Sequence, residues 1–271
     1  MTNIETTLTR VLTGINMRYP VFFDSSAFQY PCETINEKPI LDILTARTYE
    51  GGIENLLAVP AERIRKEIEV IEDIDRGISN NNPAFIPEVI KEVSTYRNNM
   101  AGYNKFCKNA CRNARFERRS AETKNLKEKS MLVRWLVDEL NEICPKMYGH
   151  NPHVCFEDEE KMMYERLLEL SLPEMERRDR LRTLRYGEKP MSLGKTLKTD
   201  SKIIAAALTL SCTIPTYILT RDIPLLETAE LIRSRIKEQE VEANMPMLHK
   251  SDLHVINLAA EIPLVELSRR T

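Results

Sequence analysis

Four acidic residues, far apart along the chain, stand where a carboxylate could do chemistry. Asp24 and Asp222 each follow a short run of β-favouring residues, Asp200 stands where an alanine-rich apolar segment begins, and Glu92 comes early in a helical pattern. Carboxylates gathered at one place repel one another unless cations hold them together. Hard oxygen ligands of this kind favour Mg²⁺ or Mn²⁺ over zinc. A divalent-metal site is therefore the chemistry that these residues would support.

Short apolar segments that alternate with helical patterns would position the four acids. The segments at 21–23, 84–86, 216–220 and 254–258 read as strands, and amphipathic patterns lie between them. This alternation predicts an α/β fold with a central parallel β-sheet flanked by helices. In such a sheet, ligands bind beyond the carboxyl ends of the strands, and helices leading into strands begin at that same edge. We therefore expect the four carboxylates to converge there.

Each acid alone also has a simpler structural explanation. Asp24 could begin a turn, and Glu92 could be a solvated charge on a helix face. Asp200 could stabilise the start of a helix, and Asp222 could cap the helix that follows it. All four, however, fall at matching ends of predicted elements. That agreement favours a shared site over four separate structural roles.

Four short segments resemble those of PIN-domain nucleases. In chain order they are FFDSSAF at 22–28, FIPEVIKEV at 85–93, TDSKIIAAA at 199–207 and ILTRD at 218–222. They are similar to the family's opening D-x-S segment, its strand-into-helix segment with the second acid, the segment with the third acid, and its "strand, Thr, any, Asp" ending. The resemblance covers roughly residues 20–32, 84–94 and 198–260, less than half of the chain.

The resemblance implies a PIN-like α/β nuclease core interrupted by an insertion. The core comprises residues 1–94 and 196–271, and the insertion at 95–195 is mainly helical and basic. Small PIN toxins are far shorter than this chain, so the long insertion departs from them. An RNA-processing role therefore competes with a toxin role.

The resemblance also implies an activity, namely Mg²⁺- or Mn²⁺-dependent hydrolysis of RNA phosphodiester bonds, as in an endoribonuclease. Asp24 and Asp222 would be direct metal ligands, and Asp200 would be the next ligand. Glu92 would bind through water or orient the nucleophile. All four are thus expected as catalytic and metal-binding residues. The supporting hydroxyl residues that could orient carboxylates are Ser26 and Thr220.

Basic side chains dominate two stretches between the second and third acids. Residues 94–134 carry many Lys and Arg with Tyr and Phe among them, and residues 177–198 form a second basic stretch. Such cations suit contact with single-stranded or structured RNA, whereas helical spacing explains the aromatic residues as inward packing. The predicted nucleic-acid-binding residues are Arg112, Arg115, Arg118, Arg119, Lys195 and Lys198.

Three alternatives stay open at this point. The first is a non-catalytic RNA-binding protein on a PIN-like scaffold. The second is a phosphotransferase with an aspartyl nucleophile at Asp24, although that chemistry usually wants an acid two residues on, where Ser26 stands. The third is a structural zinc site, whose ligand spacing would match no common pattern. We interpret its four residues as a loop that happens to contain them: Cys144, His150, His153 and Cys155.

The composition describes a globular chain and removes some function classes. Of 271 residues, 42% are hydrophobic and 30% charged, and the net charge is −2, which indicates no particular partner. No G-x-G-x-x-G or Walker loop occurs, so dinucleotide and P-loop sites have no support. No signal segment or membrane-spanning apolar run is recognised. We therefore expect a cytoplasmic protein with RNA as its partner. Assembly into a homo-oligomer, or binding of an inhibitor protein, is compatible with this expectation.

Overall fold

A computed structural model describes residues 7–29, 59–116, 120–150, 156–186, 196–237 and 250–258. The chain divides into two compact units. Unit 1 comprises Met1–Ala27, Gly77–Val89 and Met147–Thr271, and unit 2 comprises Phe28–Arg76 and Ile90–Lys146. The predicted division into a core and an insertion stays a prediction.

A four-stranded parallel sheet lies in unit 1. Its strands are β1 (Pro20–Phe23), β2 (Asn82–Ala84), β3 (Thr216–Thr220) and β4 (Leu253–Asn257). They are arranged in the order β2-β1-β3-β4, and every neighbouring pair is parallel. The predicted α/β class with a parallel sheet is therefore confirmed. β2 begins two residues earlier than the predicted strand at 84–86.

The two central strands are buried on both faces. All four residues of β1 and all five of β3 are buried. This pattern is typical of parallel strands covered on both sides. The rings of Phe23 and Phe85 stack with their centroids 5.4 Å apart, which joins the ends of β1 and β2.

Seven α-helices occur in the described residues. They are α1 (Thr7–Gly14), α2 (Ala61–Asn80), α3 (Pro87–Phe116), α4 (Ser120–Tyr148), α5 (Asp158–Tyr186), α6 (Thr196–Ser211) and α7 (Ile223–Lys237). Unit 1 contains α1, α5, α6 and α7, and unit 2 contains most of α2, α3 and α4. The predicted helices are thus present wherever the structure describes the chain.

Helix α6 runs antiparallel to the strands of the sheet. Ala205, Ala206 and Ala207 are fully buried, since their small side chains allow a helix to pack closely. The carbonyl of Ser211, at the end of α6, accepts the N–H of Asp252 (2.9 Å), and the carbonyl of Asp252 accepts the N–H of Thr216 (3.0 Å). Because β3 and β4 begin there, α6 ends at the amino edge of the sheet. It therefore begins toward the carboxyl edge, the edge at which the strands end.

Helix α5 packs antiparallel on α6. The hydroxyl of Ser171 donates to the carbonyl of Ser201 (3.2 Å), and Cys212 Sγ contacts Met163 Sδ at 3.8 Å. Going forward along α5 thus means going backward along α6. The C-terminal half of α5 consequently extends toward the carboxyl edge of the sheet.

Helix α5 is longer than the helix predicted at 159–171, and it passes through Pro173. A proline inside a helix removes the hydrogen bond to the carbonyl four residues earlier. Here that carbonyl belongs to Glu169, and both residues are exposed, so water can hydrate it. Hydration therefore offsets part of the roughly 3 kcal/mol that a proline inside a helix costs.

The described part of unit 2 consists of long helices, and α2 carries a buried apolar stripe. Ile64, Ile68, Ile71 and Ile74 of α2 are at most 2% exposed, as helical spacing predicts. In the same unit, the Tyr96 hydroxyl donates to buried Glu67 (3.1 Å). The uninterrupted helix or helical hairpin predicted over 104–144 corresponds to α3 and α4, with residues 117–119 outside the described part.

Candidate active site

Asp24 and Asp222 lie at the carboxyl ends of the two central strands. Phe23 pairs with Leu219 in the parallel register of β1 and β3, and the N–H of Asp24 donates to the Leu219 carbonyl (3.1 Å). Asp24 is therefore level with Thr220, the last residue of β3. Asp24 is only 3% exposed, whereas Asp222, two residues past β3, is half-buried. The sequence prediction that both acids stand at this edge is confirmed.

One oxygen of the Asp24 carboxylate accepts nearly all of its hydrogen bonds. Oδ2 accepts from the hydroxyl of Ser26, from the hydroxyl of Thr220 (3.0 Å) and from the N–H of Ser26 (3.3 Å). Among the described residues, Oδ1 accepts only from the Ser25 hydroxyl at 3.5 Å, which is too long for a strong bond. Oδ1 is thus the oxygen left for another electrophile.

The two hydroxyls that bind Asp24 are themselves oriented by the backbone that leads to Asp222. The N–H of Arg221 donates to Ser26 Oγ (2.9 Å), and the N–H of Asp222 donates to Thr220 Oγ1 (2.8 Å). A hydroxyl has one proton, so accepting an N–H leaves that proton for the carboxylate. The segment 220–222 therefore fixes Asp24 through two parallel relays.

Arg221 also fixes the turn that follows β1. The residues Ser25–Phe28 form a short 3-10 helix, and Nη1 of Arg221 donates to the carbonyls of Ser26 (3.0 Å) and Ala27 (2.7 Å). The side chain thereby joins the end of β3 to the turn that carries Ser26. Sequence analysis did not single out Arg221. The one feature of the sequence that pointed to a role for Arg221 was its position between Thr220 and Asp222.

The simpler structural roles of two acids are also present. The carbonyl of Asp24 accepts the N–H of Ala27 (3.0 Å), which begins the 3-10 turn. Asp222 caps α7, because the N–H of Leu225 approaches its Oδ1 at 3.5 Å. These two structural roles do not prevent metal binding, since neither of them uses Oδ1 of Asp24.

The expectation that Asp200 opens a helix is wrong. Helix α6 begins at Thr196, so Asp200 is its fifth residue, and it is 3% exposed. The helix-start explanation therefore fails, since N-terminal capping and the dipole act within the first turn. The end of the basic stretch predicted at 177–198 instead forms the first turn of this helix.

Helix and strand geometry place Asp200 near the level of the other two acids. Its Cα is eleven residues from Ser211, or about 16 Å up from the amino edge along α6. Along β3, Thr220 is about 13 Å above Thr216, and Asp222 lies two residues past the end of that strand. Asp24 is level with Thr220. The backbone positions of the three acids of unit 1 thus lie toward the carboxyl edge of the sheet.

Glu92 belongs to unit 2, whereas the other three acids belong to unit 1. It is the sixth residue of α3 and is half-buried. One turn earlier on that helix, within unit 1, Glu88 forms an ion pair with Lys202 of α6. The expected convergence of Glu92 with the other acids stays a prediction.

A complete metal-binding group is not assembled in the described part of the chain. No three or more His, Cys, Asp or Glu side chains there stand in an arrangement that could hold a metal ion. The oxygen donors nevertheless have the chemistry that Mg²⁺ and Mn²⁺ require. Among the described residues, buried Asp24 has hydroxyl and N–H partners but no Lys or Arg ion pair. A cation at Oδ1 would supply the missing positive charge.

The predicted nucleic-acid-binding residues are only partly described. Arg112 on α3 and Lys198 on α6 are exposed, as phosphate contact requires. Arg115 lies in α3, but its side chain is not described. Three further residues lie outside the described ranges: Arg118, Arg119 and Lys195.

The four Cys and His residues weighed as a zinc site do not all lie in a loop. Cys144 lies inside α4, is 1% exposed and is a free thiol, so its placement in a loop is wrong. Burial raises the pKa of this thiol, which disfavours the thiolate that zinc needs. His150 follows α4, and its carbonyl accepts the N–H of Phe85 (2.9 Å). His153 and Cys155 lie outside the described residues.

A buried acid that sequence analysis missed lies on α5. Glu174 is 5% exposed and occupies the same buried stripe as Leu167, Ser171 and Met175. It accepts hydrogen bonds from Arg177 Nε (3.1 Å) and Nη2 (2.6 Å), and these raise the pKa of the arginine. The helical spacing of Leu167, Ser171 and Met175 could have revealed an acid on an otherwise buried face.

Comparison with known proteins adds no assignment. No family model matches the chain, and no curated protein or solved structure matches it. Within the described helices, none is both long enough and apolar enough to cross a lipid bilayer. Functional inference therefore depends on the geometry of the residues themselves.

Proposed function

We propose that this chain is a divalent-metal-dependent ribonuclease with a PIN-like core. The observation that carries the proposal is the Asp24 carboxylate. It is almost fully buried and has no cationic partner among the described residues, and two oriented hydroxyls saturate its Oδ2. Hydrogen bonds offset part of the cost of burying a carboxylate, but a buried charge without a counter-ion is still costly. A cation at Oδ1 would offset that cost.

The neighbouring acids support the same conclusion. Asp222 and Asp200 belong to the same edge of the sheet as Asp24, where ligands of parallel α/β sheets bind. Asp24 and Asp222 would be direct ligands, and Asp200 would be a further ligand. Glu92 would act through water or orient the nucleophile. RNA as the substrate follows from the PIN resemblance and from the basic stretches.

The chain's residues would bind and orient, and the metal would supply the electrophile. Bound Mg²⁺ or Mn²⁺ would stabilise charge on the scissile phosphate and lower the pKa of a water. Ser26 and Thr220 would hold Asp24 with Oδ2 turned to the protein and Oδ1 left for the ion. No serine, cysteine or histidine is assigned as a covalent nucleophile.

Cleavage of single-stranded RNA by wild type and by Asp24→Asn and Asp222→Asn tests the proposal. We expect Mg²⁺- or Mn²⁺-dependent cleavage by wild type, and a loss of at least roughly 100-fold in each variant with the fold retained. The matched control is Asp252→Asn, since this exposed acid lies at the amino edge and pairs with His254. Wild-type cleavage that continues unchanged in excess chelator would show the mechanism to be wrong.

A non-catalytic RNA-binding protein on the same scaffold is the second candidate. It is favoured by the structural roles of Asp24 and Asp222 and by the lack of a complete metal-binding group among the described residues. On that alternative, wild type binds RNA but cuts none of it in Mg²⁺ or Mn²⁺. The same assay therefore separates the two candidates.

A further inference from the structure

An exposed arginine on α5 is held in place by a buried carboxylate. The side chain of Arg177 is 56% exposed, while that of its partner Glu174 is 5% exposed. An exposed arginine ordinarily loses considerable rotamer freedom when it binds a ligand. Here two hydrogen bonds to a buried partner restrict it in advance. Arg177 is therefore a preordered cation on the surface of unit 1.

The contact between α5 and α6 fixes the level of this arginine. Ser171 on α5 meets Ser201 on α6. Because the helices are antiparallel, Glu174 and Lys198 each lie three residues, or about 4.5 Å, beyond that contact in the same direction. Arg177 lies about 9 Å beyond it. Arg177 thus extends toward the carboxyl edge of the sheet, past the level of Asp200.

Arg177 keeps donors for a second partner. A guanidinium has five N–H donors in a rigid fork, and Glu174 takes one from Nε and one from Nη2. Among the described residues, the other three N–H groups have no hydrogen-bond partner, so they can donate to an oxygen-rich anion such as a phosphate. The negative charge of Glu174 is buried, so the atoms that face solvent belong to the cation.

Two further cations lie near the same end of the helix pair. Arg180, one turn beyond Arg177, is exposed, and Lys198 in the first turn of α6 is also exposed. Three exposed cations at the edge that holds Asp24, Asp200 and Asp222 suit a polyanionic strand more than a single small anion.

We propose that Arg177, together with Lys198 and Arg180, contacts backbone phosphates of single-stranded RNA beside the carboxylate edge. This inference rests on the proposed ribonuclease function and adds to it the surface that receives the substrate. Arg177 makes the ordered contact, and Glu174 is a positioning residue that acts through it.

Arg166 provides a matched control on the same helix. Its side chain is also 56% exposed and forms an i,i+3 ion pair, but the partner Glu169 is exposed. It lies five residues before Ser171, toward the amino edge. Replacement of either arginine by glutamine removes the same charge, so the two variants differ only in position and in anchoring.

The test measures binding of a short fluorescein-labelled oligoribonucleotide by fluorescence anisotropy in EDTA, where no metal-dependent cleavage occurs. We expect Arg177→Gln to weaken binding roughly threefold to tenfold and to reduce the slope of log Kd against log salt by about one. Arg166→Gln should bind as wild type does. Equal affinities of the two variants would overturn the proposal.

Glu174→Gln separates positioning from simple charge. Removal of a negative charge alone would tighten RNA binding, whereas loss of the anchor should weaken it because Arg177 becomes less ordered. Tighter or unchanged binding would show that Glu174 has no positioning role. Circular dichroism of each variant checks that the fold is retained.

Activity measurements distinguish failure of this inference from failure of the proposed function. With Mn²⁺, Arg177→Gln should raise KM and leave kcat unchanged, because the contact serves binding in both ground and transition states. If wild type shows metal-dependent cleavage but the variant has an unchanged KM, the proposed function is supported and the proposed RNA-binding surface is wrong. If wild type cleaves no RNA but the two arginine variants differ in binding as expected, the RNA-binding surface is supported and the proposed ribonuclease function is wrong.

Discussion

Thr220→Val tests whether the hydroxyl relay fixes Asp24. Thr220 is fully buried, and its hydroxyl both donates to Asp24 Oδ2 (3.0 Å) and accepts the N–H of Asp222 (2.8 Å). Valine keeps the shape and removes both bonds. A hydrogen bond to a charged group contributes about 1.5–3 kcal/mol, and a buried N–H left without a partner costs about 1–3 kcal/mol. Since the added methyl offsets roughly 1 kcal/mol, we expect a loss of about 1.5–5 kcal/mol.

Two other buried threonines of unit 1 calibrate this loss. The hydroxyl of Thr209 donates to the Ala205 carbonyl (2.8 Å), which its helix already satisfies, so Thr209→Val should cost at most about 1 kcal/mol. The hydroxyl of Thr228 is buried without a hydrogen-bond partner in the described structure. Thr228→Val should therefore be neutral or stabilise by about 1 kcal/mol.

Urea unfolding followed by far-UV circular dichroism measures the three variants against wild type. The expected order of stability is Thr228→Val highest, then Thr209→Val, then Thr220→Val. Calorimetric titration with Mn²⁺ supplies a second readout, in which only Thr220→Val should lose affinity, by about 10- to 100-fold. If Thr220→Val costs no more than Thr209→Val and binds Mn²⁺ as tightly as wild type, the relay does not hold Asp24.

Two further predictions concern the arginine of the site and an acid of unit 2. Arg221→Lys keeps the charge but not the fork that reaches both the Ser26 and Ala27 carbonyls, so Mn²⁺ affinity should fall about tenfold by calorimetry. Arg233→Lys, which alters a similar bond to the Leu253 carbonyl at the amino edge, should not change it. Burial, and then repulsion from Glu139, raise the pKa of Glu72 above 4.5. The folded state therefore binds this proton more tightly than the unfolded state does. The resulting contribution to the free energy of unfolding is fully present below pH 4.5 and is lost as pH rises through the raised pKa. Glu72→Gln should therefore stabilise the protein at pH 7, with the gain vanishing toward pH 4 in urea titrations.

The sequence predicted the sheet well because its strands are local and strongly patterned. The run that becomes β1 is apolar throughout, the run that becomes β3 is apolar between its two terminal threonines, and a polar segment follows each directly. Asp24 and Asp222 could be placed at the carboxyl edge for the same reason. The strand ends of a parallel sheet share one edge whatever the details of packing.

The features that sequence analysis missed depend on contacts between distant segments. Arg221 reads as an ordinary surface charge until β1 and β3 pair and bring the Ser26 carbonyl to its guanidinium. Glu174 looks solvated in a segment crowded with charges, and only the packing of the folded chain buries it. Asp200 was misplaced within its helix because helix ends depend on tertiary contacts more than on local propensity.

A crystal structure grown with Mn²⁺ tests the central claim most directly, since anomalous scattering locates the ion without reference to activity. We predict an anomalous peak within bonding distance of Asp24 Oδ1, with carboxylate oxygens of Asp222 or Asp200 also bound to that ion. A structure with Mn²⁺ bound elsewhere, and with Asp24 Oδ1 in contact only with protein and water, would contradict the assignment of this edge as a metal centre.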